Sequence, residues 1–258
     1  MNITGIAART QLVTLTTGSF RPTRRHRAET AAENARHNTN AARVSVRLSD
    51  HPALRELTRI HHAAYRVHIG LTLPSVQDGM RMLPAGRQFE HATEMQTHLA
   101  LHDAQVALYK ADYPTEVATS AQRLGTLHDP SMWPSNIDDC FVFEFRYLPC
   151  PTDGSWADWL QESARAAEDE VRERVTDTLQ RVIDRCRAEG PLYATVFSDV
   201  SELAAILPDL NITAAPDIDA IVREAKSLAA TSLDDVRTDP AARANAAAEA
   251  ERILSILD

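Results

Sequence analysis

The chain has 258 residues, of which 44% are hydrophobic and 24% charged, and a net charge of −9 with a pI near 5.6. That charge averages two unlike parts: residues 1–68 hold eleven arginines against four acids, a net of +7, while the remainder carries −16. The split excludes both a uniformly acidic protein and a uniformly basic nucleic-acid binder.

Only eight glycines are present, which argues against a many-turned β-sandwich and for long helices. Cys140, Cys150 and Cys186 form no paired spacing, so neither a disulfide framework nor a zinc ribbon is expected. Cys140 and Cys150 bracket a predicted strand that would hold them about 30 Å apart. Met1–Thr10 lacks the layout of a secretory leader, and no apolar run approaches the ~20 residues that span a membrane. The expected setting is cytoplasmic, with reduced thiols.

In chain order, Leu12–Thr16 alternates and is β-branched, so it reads as a strand. Thr23–His37 reads as a polar, Ala-rich helix with Thr23 as its N-cap. Arg43–Leu48 alternates cleanly, with Val44, Val46 and Leu48 on one face and Arg43, Ser45 and Arg47 on the other. A helix from Pro52 to about His68 follows Asp50 as N-cap. Leu71–Gly86 reads as irregular, and an irregular stretch of that length is often functional. Phe89–Ala111 reads as a helix ended by Tyr113-Pro114, with a shorter helix running on to Leu124-Gly125. Cys140–Leu148 is the strongest strand.

A helix of roughly 35 residues, about 50 Å long, is predicted over 155–189. In it Val171, Val175, Leu179, Val182 and Cys186 recur at spacings of 4, 4, 3 and 4, a narrow seam suited to self-association or to packing within the chain. Further helices are predicted at Ser198–Leu207, Asp217–Ala229 and Pro240–Leu257, the last with Asp239 as N-cap. The sum is an α+β fold, predominantly α. A small antiparallel sheet of Leu12–Thr16, Arg43–Leu48 and Cys140–Leu148 would pack on the helices of a 1–151 domain, and a helical domain would occupy 152–258.

No phosphate-cradling glycine loop, nucleophile elbow, HExxH or paired CxxC is present, and no cofactor is expected. Three constellations remain. Glu94, His98 and His102 lie at i, i+4 and i+8 on one helical stripe and could ligate a divalent metal, or form a solvated polar face. Phe141, Phe143, Phe145 and Tyr147 alternate along one strand, as a core face or as a platform for stacking bases. Arg21, Arg24, Arg25 and Arg27 fall within seven residues, joined by the Arg43 and Arg47 face. Guanidinium forks bind phosphates, or they could dock on the acids of a neighbouring subunit.

Several stretches resemble an uncharacterised family found in phages and mobile elements. They are TLPSVQDGMRMLP at 72–84, Tyr113-Pro114, LG at 124–125 with Trp133-Pro134, FVFEFRYLPCP at 141–151, LPDLNIT at 207–213 and RTDPAARANAAAEAERIL at 237–254. Ser75 departs from the family's aromatic at that position. The resemblance carries no activity. It implies a setting near MoxR-type AAA+ ATPases, von Willebrand A-domain proteins or phage recombination genes. The leading expectation is therefore a non-enzymatic, self-associating partner of a AAA+ ATPase. The alternatives are a single-stranded nucleic-acid binding or annealing protein, and a metal-dependent enzyme.

Overall fold

The computed structural model describes residues 3–151, 156–188, 190 and 195–257. The fold is α+β and predominantly α. Its elements are α1 (Ile3–Arg9), β1 (Thr10–Gly18), β2 (Thr23–Arg25), α2 (Arg27–Arg36), β3 (Ser45–Arg47), α3 (Pro52–Leu71), β4 (Leu73–Pro74), β5 (Arg81–Pro84), α4 (Gln88–Leu124), β6 (Val142–Pro149), α5 (Ala157–Arg187), α6 (Thr195–Leu210), α7 (Pro216–Ala229), α8 (Leu233–Thr238) and α9 (Pro240–Leu254). The chain forms two compact units that interleave along the sequence. Unit 1 comprises 1–14, 69–91 and 146–258, and unit 2 comprises 15–68 and 92–145. The division therefore falls not at one point near residue 151 but at four, inside β1, α3, α4 and β6.

Unit 1 is built around α5. Its seam is fully inward: Val171, Val175, Leu179 and Val182 are all 2% exposed or less, and they pack within the chain. Facing them, α9 presents Ala246, Ala247, Ala250 and Ile253, small residues that let two helix backbones approach closely. Each large apolar side chain buried here contributes about 1.5–3 kcal/mol. No part of the seam is left as a face for a second copy. The ends of the expected helix, Ser155 and Glu189, lie outside the described residues.

The main sheet runs β4-β5-β1-β6, with Leu12 opposite Met82 and Leu73 opposite Met82 in antiparallel register. Leu71–Gly86, expected to be irregular, thus supplies two short strands whose Leu73, Met82 and Leu83 are completely buried. Arg43–Leu48 was expected in this sheet but is not part of it. Its strand β3 pairs with β2 as a separate two-stranded ribbon, Arg24 opposite Val46.

That ribbon also corrects the helix expected from Thr23. The Pro22 carbonyl accepts from Leu48 N–H and His26 N–H donates to the Val44 carbonyl, so both ends of the run are held extended. Helix α2 starts only at Arg27. Its N-cap is His26, whose Nδ1 accepts the Glu29 N–H at 3.2 Å. His51 does the same for α3, accepting the Ala53 N–H, while Asp50, the expected cap, pairs instead with Arg47 and Arg123.

Pro114 does not end its helix: α4 runs 37 residues straight through it. A proline in a helix interior costs about 3 kcal/mol. Packing on both sides offsets that cost, because Tyr109 and Tyr113 pack on Phe20 and Trp133, and Tyr113 donates its hydroxyl to the Pro134 carbonyl.

Candidate nucleic-acid interface

Alternation along the ribbon sorts its side chains. On β2 and its flanks Arg21, Thr23, Arg25 and Arg27 are exposed, Arg24 is half-buried and His26 is buried. On β3, Val46 and Leu48 face inward while Arg43, Ser45 and Arg47 face solvent. Five arginines therefore share the outer face of one small ribbon.

Arg24 points the other way. Its guanidinium lies over the Phe20 ring at 5.7 Å, and Phe20 in turn stacks on Trp133 at 5.7 Å and on Tyr109 at 5.9 Å. This aromatic stack anchors the ribbon in unit 2. Beside it opens a cleft of about 780 Å³ lined by Arg24, Arg25, Arg27, Asp129, Ser131 and Trp133, among others. Two buried donors here, Arg24 Nε and Trp133 Nε1, have no hydrogen-bond partner. Such groups cost about 1–3 kcal/mol each and call for an explanation.

The charges around the cleft are uncompensated. Among the described residues, Arg21, Arg24, Arg25, Arg27 and Arg43 enter no ion pair and no side-chain hydrogen bond. Arg47 is the exception, paired with Asp50 at 3.0 Å. The one carboxylate on the wall, Asp129, is held below the usual range by the Ser131 hydroxyl and N–H, whose bonds cap the turn that follows. A surface of this kind binds a polyanion: forked guanidiniums grip phosphate oxygens, and released counterions make the binding salt-dependent.

The structure gathers the predicted arginines only in part. Arg24, Arg25 and Arg27 line this cleft, Arg21 and Arg47 line a neighbouring one, and the exposed Arg43 lines neither. Sequence reasoning missed Trp133 and Ser131, which arrive from more than a hundred residues away; no local pattern announces them.

The metal set is not assembled. Glu94 is exposed and His98 half-buried, while His102 is buried and its Nδ1 lies 2.9 Å from Nε2 of His61. Among the described residues no cluster of three or more His, Cys, Asp or Glu side chains could hold a metal ion. A single straight stripe spreads its donors along the helix axis, and the partner helix offers a hydrogen bond rather than ligands. Burial and the neighbouring His102 and His62 push His61 down to about 4, and burial lowers His102 as well, so the pair is neutral near neutrality.

The aromatic row of β6 packs inward. Phe143 is buried against Ala64 and Met95, with Phe145 alongside, while Glu144 and Arg146 are exposed. Tyr147, in unit 1, hydrogen-bonds His91 at 2.8 Å. No platform for bases is left on that strand. All three cysteines are free thiols.

No family model, no curated protein and no solved structure matches the chain. Among the described residues no helix is long and apolar enough to cross a membrane.

Proposed function

We propose that this protein is a binding protein for single-stranded nucleic acid, held by its phosphate backbone on the outer face of the β2–β3 ribbon. The observation that carries this is the set of exposed arginines on one face beside a cleft, of which Arg21, Arg25, Arg27 and Arg43 meet no carboxylate among the described residues, whereas most arginines elsewhere in the chain do. Trp133, the ring that lines the cleft, is buried and stacked on Phe20, so recognition is of charge and shape, and sequence preference is weak. Fluorescence anisotropy with an oligothymidylate tests it. Affinity should fall steeply with salt, and Arg25→Ala with Arg27→Ala should lower the log–log slope by roughly 1.4, at ~0.7 per phosphate contact. Binding that ignores salt, or polyglutamate binding as tightly under the same conditions, would count against it.

A second reading uses the same face as a docking surface for protein. Unit 1 holds all of the chain's net charge, −9, while unit 2 balances twelve basic against twelve acidic side chains. The acids of a second copy, or of the AAA+ ATPase that the resemblance implies, could then receive the arginines. Native mass measured across salt concentrations separates the readings: this one requires an oligomer at low salt, without nucleic acid, that dissociates as salt rises.

A further inference from the structure

The outer face of the ribbon borders a second cleft, and beyond Arg21 and Arg47 its lining was not among the predicted arginines. Of about 600 Å³, it is lined on the ribbon side by Arg21, Thr23 and Arg47 and on the α3 side by Arg55, Thr58 and His62. Arg21, Arg55, Thr58 and His62 are all exposed, and neither Arg21 nor Arg55 enters an ion pair among the described residues. Its one acid, Asp50, is already engaged by Arg47 and Arg123.

Between the two clefts stands a stacked pair of rings. Phe20 lines the second cleft, Trp133 lines the first, and the two rings stack with centroids 5.7 Å apart. The chain itself passes from one to the other: residues 21–23 border the second cleft, and Arg24, Arg25, Arg27 and Ala28 the first. Held extended at both ends, 21–27 covers about 20 Å at ~3.3 Å per residue. A single phosphate can occupy one cleft at most. A phosphodiester chain can cross the outer face, where Arg25 and Arg47 lie on adjacent strands, and fill both.

We infer that the two clefts form one continuous path for a phosphodiester strand, with Arg21, Arg55 and His62 gripping one stretch of the strand and Arg25 and Arg27 the next. This rests on the nucleic-acid reading and specifies its ligand as a flexible single strand of several nucleotides, not a mononucleotide or an isolated phosphate. A stiff duplex presents its phosphates on a fixed helical path, whereas a single strand can bend over the ribbon into both hollows.

The test is anisotropy with oligothymidylates from about 4 to about 16 nucleotides, on the full chain. Two variants are compared, Arg21→Ala with Arg55→Ala and Arg25→Ala with Arg27→Ala. All four side chains are exposed, so folding should survive, and circular dichroism checks it. The expected result is a step in affinity of about tenfold or more once the strand is long enough to reach both clefts, abolished by either variant. Each variant should also lower the salt slope for the long strand by roughly 1.4. If the long strand binds but Arg21→Ala with Arg55→Ala leaves affinity and slope unchanged, the continuous path is overturned while the nucleic-acid reading stands. If no oligothymidylate binds at low salt, both are overturned.

Discussion

In unit 1 the Arg243 guanidinium donates to the carbonyl oxygens of Arg185, Cys186, Ala188 and Gly190, closing the C-terminal end of α5. Arg174 does the same for α3's end, donating to Ile69, Gly70 and Thr72 carbonyls, and shares Glu170 with Arg81. In unit 2 Arg25 and Arg27 meet no acceptor at all among the described residues. One residue type thus has two physical roles. Where a helix ends with unpaired carbonyls, arginine completes the backbone's hydrogen bonding. Where it stands unpaired on a ribbon's outer face, as Arg25 and Arg27 do, its five donors remain available to something outside the chain. Unit 1 also has one continuous core around α5, whereas unit 2 has two smaller clusters, one of which contains the Phe20, Tyr109 and Trp133 stack.

The largest effect is expected in unit 1. Leu179 is 1% exposed at the centre of the α5 seam. Leu179→Ala should cost about 3 kcal/mol, as the side chain's transfer energy and the cavity add. Urea denaturation measures it. A loss below about 1 kcal/mol would mean that the seam is not the centre of that core, and the contrast between the units would weaken.

The second effect concerns acid, and each unit contributes to it. His61 in unit 2 and His91 in unit 1 are each pushed down to about 4 by burial, from an ordinary value of 6.5. Below pH 6.5 the unfolded chain takes up protons that the folded chain refuses until about pH 4. Their stabilising contribution is therefore complete above 6.5 and is lost as pH falls through that window, at about 1.4 kcal/mol per pH unit for each histidine. Replacing His61 and His102 together by Leu removes unit 2's share without stranding one ring opposite the other. The acid limb of stability against pH should become shallower, with the His91 share remaining; an unchanged limb would refute the assignment.

What could be read from sequence follows the range of the interaction. The seam of α5 and the alternation of 43–48 are local periodicities, and both stand in the structure. The strand character of Thr23–Arg25 comes from backbone bonds to residues 44–48, so the helix-compatible composition of that run misled. Leu73 and Met82 form strands only because they pair with each other and Met82 pairs with Leu12; runs of two and four residues, each ending in a proline, carry no signal of their own. Pro114 reads as a stop because the rings that hold its helix together, Phe20 and Trp133, lie far along the chain. The arginines of the candidate site were legible as a cluster. The site's walls, Trp133 on one side and Arg55 and His62 on the other, were not.

The smallest effects compare one substitution in both settings. Arg243→Ala strips four carbonyls of their partner at a half-buried helix end and should cost about 1–2 kcal/mol, since water can replace only some of those bonds. Arg25→Ala removes an exposed side chain with no partner among the described residues and should change stability by less than about 0.5 kcal/mol. Thermal or urea unfolding of the two variants, side by side, reads the difference. If Arg25→Ala costs as much as Arg243→Ala, the ribbon's arginines hold the fold together, and their exposure on one face loses its meaning as a binding surface. If instead it leaves stability untouched while weakening oligonucleotide binding, the free guanidinium is there for a ligand.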